Sequence, residues 1–316
     1  MNTNARILAA TVVMAAALTQ CLAQKVWHQE WLRRSTELCD SVRKHYREGN
    51  TLLLRENFNP AGNFRADYLA ESQNTRTHAF LWPYSGALSA EAAKYEVFPS
   101  RKSLKAIKRL VAQGLDLYLD TVRKPAGYAS YTRYNPAPDR FYDDNVWIGI
   151  DFADLYTASK DREFLRRAEM VWNFVVSGRD SILGDGIYWC EQRKESKNTC
   201  SNAPAAVFAL KLYAATLNKK YLSAGKELYE WTRKYLYDNA ERLYSDNIRL
   251  DGKIVRAKFS YNSGQMLQAA SLLYQLTLNN RYKLEADTLA QACAERFFTK
   301  NEDGKLRVRM HDVWFD

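Results

Sequence analysis

Three stretches of the chain are outline copies of one another. "DFADLYTASKDREFL" carries Leu155-Tyr156 and then Phe164-Leu165. "FALKLYAATLNKKYL" carries Leu212-Tyr213 and then Tyr221-Leu222, and "AASLLYQLTLNNRYK" carries Leu273-Tyr274 and then Tyr282. In each, an aromatic follows the leucine by nine residues, and the leucines are spaced by 57 and 61 residues. Such a period reads as a repeated helical hairpin, because one hairpin cannot bury its apolar face alone and stacked copies can. The first helix of each unit is apolar over most of its surface and is expected to be buried all round. The second is amphipathic and is expected to face water. Hairpins of this kind close into an α/α toroid, with an open solenoid as the alternative. "LSAEAAKYEVFPSRKSL" reads as an earlier, looser copy.

Local signals agree with the repeat. In "DREFLRRAEMVWNFVVSG" apolar residues fall at 164, 165, 168, 171, 172 and 175, one stripe at a period near 3.6. Asp161 stands where an N-cap belongs and Gly178 where a C-terminal cap belongs. A helix beginning near Ser103 aligns Leu104, Ile107, Val111, Leu115 and Tyr118. Strand signals are weak, with "DGIYW" and "KLRVRM" as brief strands or extended loops. A six-hairpin toroid at this period needs roughly 350 residues, and residues 24–316 suit about five hairpins. The 47% apolar content supports a sizeable core, and no Pro/Ser/Gly linker divides the chain, so 24–316 reads as one domain.

Residues 1–23 read as a signal peptide: Arg6, an apolar run from Ile7 to Leu18, then small residues. The run is too short to span a membrane, and no other segment is a candidate. Cleavage after Ala23 is favoured over lipidation at Cys21, because Gln20 is large for a lipoprotein box. The expected location is periplasmic or cell-surface. Of the remaining cysteines, Cys190 and Cys200 bracket a polar loop; a disulfide and two small buried side chains are equally good readings. The formal net charge of +10 is scattered without a basic stripe, so it reads as a solvated surface and not as a nucleic-acid footprint. Four histidines and the cysteine spacings give no metal signature, and no cofactor motif is present.

"FYDDNVWIGIDFADLY" sets Asp143 beside Asp144 at the start of a buried-type helix, between Tyr142 and Asn145-Val146-Trp147. Glycosidases use two carboxyl groups flanking the bond that breaks, roughly 5–5.5 Å apart when the anomeric configuration is retained. Neighbouring acids repel, which raises one pKa and lets one acid keep its proton while the other is ionised. Tyr142 and Trp147 offer stacking surfaces. The plainer readings are a helix N-cap with a solvated neighbour, or a calcium ligand.

"YDDNVWIGIDFADLY", "GDGIYWCEQ", "KNTCSNAPAAVFALKLYAAT" and "YNSGQMLQAASLLYQ" together resemble glycoside hydrolase family 76, the endo-α-1,6-mannanases and related fungal-wall transglycosidases. The resemblance runs from about Val26 to the end. It implies an all-α (α/α)6 toroid and a retaining mechanism on α-1,6-linked mannan, with Asp143 as nucleophile and Asp144 as acid/base. It also implies that Trp82, Trp189, Asn198, Asn202, Tyr261 and Asn262 join Tyr142, Asn145 and Trp147 in binding substrate. Family members usually continue beyond the "DVWF" segment, so the toroid is expected to be incomplete at the C-terminus. The expected partner is α-mannan, bound by a monomer. The alternatives are a catalytically silent glycan-binding protein and an α/α-toroid hydrolase or transglycosidase of other specificity.

Overall fold

The computed structural model describes residues 29–56, 78–133 and 138–309, which fall into two compact units, 1–77 and 78–316. The expected signal peptide, Cys21 and the "HDVWFD" end lie outside the described residues. In the first unit a helix, α1, runs over 29–46 and is followed by an antiparallel bridge between Arg47 and Leu54. Its exposed face is laced by Arg33, which pairs with Glu30 and Glu37 one turn to either side.

Among its described residues, the second unit shows four helical hairpins in series. They are α2 (Leu81–Val97) with α3 (Arg101–Gln113), α4 (Tyr142–Ser159) with α5 (Arg162–Val176), α6 (Thr199–Thr216) with α7 (Lys219–Leu236), and α8 (Ser260–Thr277) with α9 (Asn280–Phe297). The first helix of each hairpin packs on the first helix of the next, α2 on α4, α4 on α6 and α6 on α8. α6, flanked on both sides, buries 13 of its 18 residues. α5 buries one stripe: Phe164, Ala168, Val171, Trp172, Phe174 and Val175. The inner and outer assignments read from composition therefore hold. The "looser copy" is the α2–α3 hairpin, turned by a capping box between Ser100 and Ser103.

The inner helices run parallel and in step. Ser89 Oγ of α2 donates to Asp151 of α4 at 2.7 Å, and Lys211 of α6 grips both oxygens of Asp154 of α4 at 2.6 and 2.7 Å. Asp154 and Lys211 are each the thirteenth residue of their helices. Gly149 lets α4 and α6 approach: a Cβ there would lie 2.4 Å from the Phe208 ring.

The turns repeat as faithfully. α4, α6 and α8 end at Lys160, Leu217 and Leu278, all with φ near +57°, and Asp161, Asn218 and Asn279 then cap α5, α7 and α9. Two local expectations differ. α3 stops at Gln113; Gly114 makes room for Tyr84, whose hydroxyl would lie 1.8 Å from a Cβ there, and Leu115 and Tyr118 are buried beyond the helix. Gly178 is not the helix cap; it makes room for the Tyr142 ring, 2.7 Å from where a Cβ would stand.

Short strands occupy the loops that lead into inner helices: β1 (Leu119–Asp120), β2 (Gly127–Tyr128), β3 (Ser196–Asn198), β4 (Tyr237–Asp238), β5 (Leu243–Tyr244), β6 (Asn247–Arg249) and β7 (Ile254–Val255). β8 (Phe298–Lys300) and β9 (Leu306–Val308) follow α9. Pairing is antiparallel throughout: β1–β2, β3–β6–β7, β4–β5 and β8–β9. "DGIYW" contributes bridges from Ile187 and Tyr188, and "KLRVRM" contains β9. No helix among the described residues is long and apolar enough to cross a membrane.

Candidate active site

Because the inner helices are parallel, their first turns gather at one end. The second residue of each is Trp82, Asp143, Cys200 and Tyr261; the third is Pro83, Asp144, Ser201 and Asn262. A helix start presents unpaired N–H groups and a partial positive charge, which attract anions. Only α4 places acids there.

Asp143 and Asp144 are both partly exposed, yet their surroundings differ. Asp143 Oδ1 accepts the Asp144 backbone N–H at 3.0 Å, and Oδ2 accepts the Trp189 indole N–H at 2.9 Å. The buried Cys200, second residue of α6, stands level with it on the neighbouring inner helix. Desolvation raises the Asp143 pKa to about 6, and the Asp144 and Trp189 donors hold it from rising further. Among the described residues no donor reaches the Asp144 carboxyl. Desolvation, then the neighbouring Asp143 charge, push its pKa well above the ordinary carboxylate value. The pair thus favours one ionised and one protonated member.

Trp189 is held from two sides. Its carbonyl accepts the Tyr142 N–H at 2.9 Å, and its ring lies 4.9 Å from that of Phe141. The loop that carries it is clamped to the entry of α4 by the wholly buried Arg140. That guanidinium holds both Glu191 oxygens and the Pro125 carbonyl.

Trp82, Trp147 and Tyr261 are partly exposed at the same helix ends, with Trp147 one turn along α4 from Asp144. Tyr261 lies near Asp143, Cys200 and Asp246, whose charges add to burial in raising its pKa. Asn262 is buried near the Asp246 carboxylate, and neither its amide oxygen nor its amide nitrogen meets a hydrogen-bond partner among the described residues.

Four expected substrate contacts have other work. The Tyr142 ring is 1% exposed and stacks on Phe174 in the core, so it offers no surface to a sugar. Asn145 is fully buried; its oxygen accepts the Tyr128 N–H at 2.7 Å, and its amide donates to the Tyr128 and Phe141 carbonyls. Asn202 repeats this on α6 with Ile187 and Asn198. Both tie an inner helix to the loop before it, and Ser263 takes the same place on α8, accepting the Tyr244 N–H at 3.2 Å. Asn198 is the N-cap residue of α6, buried, with its side chain accepting from Ser196 at 2.7 Å. The asparagines are fixed by backbone partners because helix-to-loop joints would otherwise bury unpaired amides.

Two residues escaped the sequence reading. Cys200 was weighed as half of a disulfide, but it and Cys190 are free and buried. Asp246, just before β6, is a third carboxylate, with its pKa raised by burial and Asn247 donating to it at 2.7 Å. Nothing in "YSDNIRL" marks it; the α7–α8 loop brings it in.

The sequence profile of Glycosyl hydrolase family 76 matches residues 71–312. A family 76 mannosidase of Bacteroides thetaiotaomicron is 29% identical, with a TM-score of 0.74 over 88% of this chain and 76% of that one. The GH76A α-1,6-mannanase of Salegentibacter is 26% identical, with a TM-score of 0.66 over 84% and 70%. A similar structure is an inactive variant of that enzyme with two consecutive aspartates changed to asparagine, in complex with α-1,6-mannotriose. The Meiotically up-regulated gene 191 protein of Schizosaccharomyces pombe is 31% identical over 64% of this chain and 48% of its own length, so the chain spans about half of the curated relatives it matches. The helical hairpins are of the (α/α)6 toroid class of these neighbours. On its profile match, its fold and its paired acids, the chain belongs to glycosyl hydrolase family 76.

Proposed function

We propose that this chain is a retaining endo-α-1,6-mannanase acting on fungal-type mannan. The observation that carries the reading is the unequal treatment of two adjacent acids: two donors on Asp143, none on Asp144. The ionised Asp143 attacks the anomeric carbon. The protonated Asp144 delivers its proton to the leaving glycosidic oxygen, then takes one from the water that releases the glycosyl-enzyme. Trp82, Trp147, Trp189 and Tyr261 supply ring faces for the sugar. The α-1,6-mannanase named among the structural neighbours supports the linkage. The N-terminal sequence pattern supports export to the periplasm or cell surface.

The test is digestion of a linear α-1,6-mannan, with product mass and anomeric configuration followed by NMR. Oligosaccharides released first as the α-anomer are expected. Asp143→Asn and Asp144→Asn are each expected to lower turnover by about 10³-fold or more with the helical circular dichroism unchanged. A β-anomer as first product, or either variant at wild-type activity, overturns the assignment. Binding without turnover by the native chain would instead favour a glycan-capture protein.

A further inference from the structure

The net charge of +10 is scattered along the chain but not in space. The parallel inner helices gather their last turns at one end of this unit, as they gather their first turns at the other. The four turns that lead from inner to outer helix, at 94–105, 156–166, 213–223 and 274–284, hold eleven lysines and arginines against three acids. Two of the acids, Asp161 and Glu163, are paired with Lys108, and Glu96 lies near Asp154 and Lys211. Arg281 is held by Glu230 and Glu285, and Lys283 by Asp287. Arg101, Lys102, Lys160, Arg162, Lys219 and Lys220 are exposed and meet no ion-pair partner among the described residues.

Apolar side chains stand among these cations. Leu217 is 74% exposed, Leu278 75%, Leu284 66%, Val97 63% and Phe98 42%. Leu217 and Leu278 hold φ of 57° and 56°, a left-handed position where glycine is usual and leucine is strained. Exposed as they are, the two leucines gain little packing in return for that strain. Cations around protruding apolar side chains match an anionic bilayer: the cations meet headgroup phosphates and the apolar tips enter the acyl boundary. A polyanion in solution would answer the cations and leave the leucines in water. An uncharged apolar partner would cover the leucines and leave the cations unanswered.

We propose that this end of the four hairpins docks on an anionic lipid bilayer. The inference goes beyond glycan cleavage and does not depend on it. α4, α6 and α8 have 18 residues each, and a helix of that length spans about 27 Å. Docking through Leu217 and Leu278 therefore leaves Asp143 and Asp144 at the far end of the inner helices, turned away from the lipid and toward polymer in solution.

The experiment is co-sedimentation of the full chain with vesicles of phosphatidylcholine alone and of phosphatidylcholine with about 30% phosphatidylglycerol. Binding to the anionic vesicles that weakens as salt rises is expected, with little binding to the neutral ones. Lys219→Glu with Lys220→Glu is expected to weaken it about thirtyfold or more. Leu217→Gly with Leu278→Gly relieves backbone strain and keeps every charge, and is expected to weaken it about tenfold. Both double variants are expected to keep the native helical circular dichroism and the native chain's activity on soluble α-1,6-mannan. No binding to anionic vesicles overturns the proposal. So does binding that survives both changes, as it would if the apolar run at 7–18 carried it. Loss with the lysine pair alone assigns the surface to a polyanion in solution, and loss with the leucine pair alone assigns it to an apolar partner; either overturns the bilayer. Product release from mannan judges the mannanase reading separately, because vesicle binding needs no activity.

Discussion

Asp143 and Asp144 are one backbone step apart and differ by two hydrogen bonds. Burial raises both pKa values, so each folded-state value lies above the unfolded one of about 3.9. The stability such a group contributes is present below the unfolded pKa and is lost as pH rises through the folded pKa. Asp144→Asn is therefore expected to raise folding stability at pH 8 by about 1–3 kcal/mol and to leave it unchanged near pH 4, as denaturant titrations at the two pH values will show. Activity is expected to follow a bell-shaped pH profile whose acidic limb lies near the Asp143 value of about 6. The same scale holds the opposite case. Asn202→Ala strands the buried Ile187 amide and two carbonyls, and is expected to cost about 3 kcal/mol in chemical denaturation. A sugar contact would instead leave stability intact and raise KM.

At the element scale, the turn between inner and outer helices puts Leu217 and Leu278 in the left-handed region with their side chains largely exposed. A side chain there is strained, and glycine is not. Leu217→Gly and Leu278→Gly are each expected to raise the melting temperature, gaining up to about 1 kcal/mol. Gly149→Ala is expected to destabilise by about 1–3 kcal/mol, since its methyl enters the Phe208 ring and pushes α4 from α6. The repeat spacing seen in the leucines, 57 and 61 residues, recurs in the struts at 145, 202 and 263, in the left-handed residues at 160, 217 and 278, and in the caps at 161, 218 and 279. Only the leucine and aromatic repeat and the Asp161 cap were legible in the sequence. The role of each asparagine was not, because an asparagine bound to a loop backbone and one facing a ligand are the same letter.

For the whole molecule, the buried inner-helix face carries its own charge network. Asp151 is raised to about 7, by burial first and then by the Asp154 and Glu96 charges, with Ser89 and Lys211 opposing. Asp154 and Glu96 are raised too, again by burial first. The lowered surface carboxyls, Asp161 and Asp238 among them, are held down by lysine partners and lose stability only as pH falls through their depressed values. Between pH 4 and pH 7 the raised group dominates. Thermal stability is therefore expected to be higher at pH 5 than at pH 8, and Asp151→Asn is expected to remove roughly 2–4 kcal/mol of that difference.

The sequence by itself determined the hairpin repeat, the buried and wet faces, the Asp161 cap and the paired acids, because these depend on spacing along the chain and on local chemistry. The tertiary structure decided which acid gains donors, that Tyr142 fills the core beside Gly178, that Asn145 and Asn202 bind backbone, and that Cys200 and Asp246 join the acids. Those outcomes depend on groups 15 to 103 residues apart, brought together by the loops before the inner helices and by the alignment of the helices' first turns. Burial and partner geometry, which set both pKa and hydrogen bonding, arise only there.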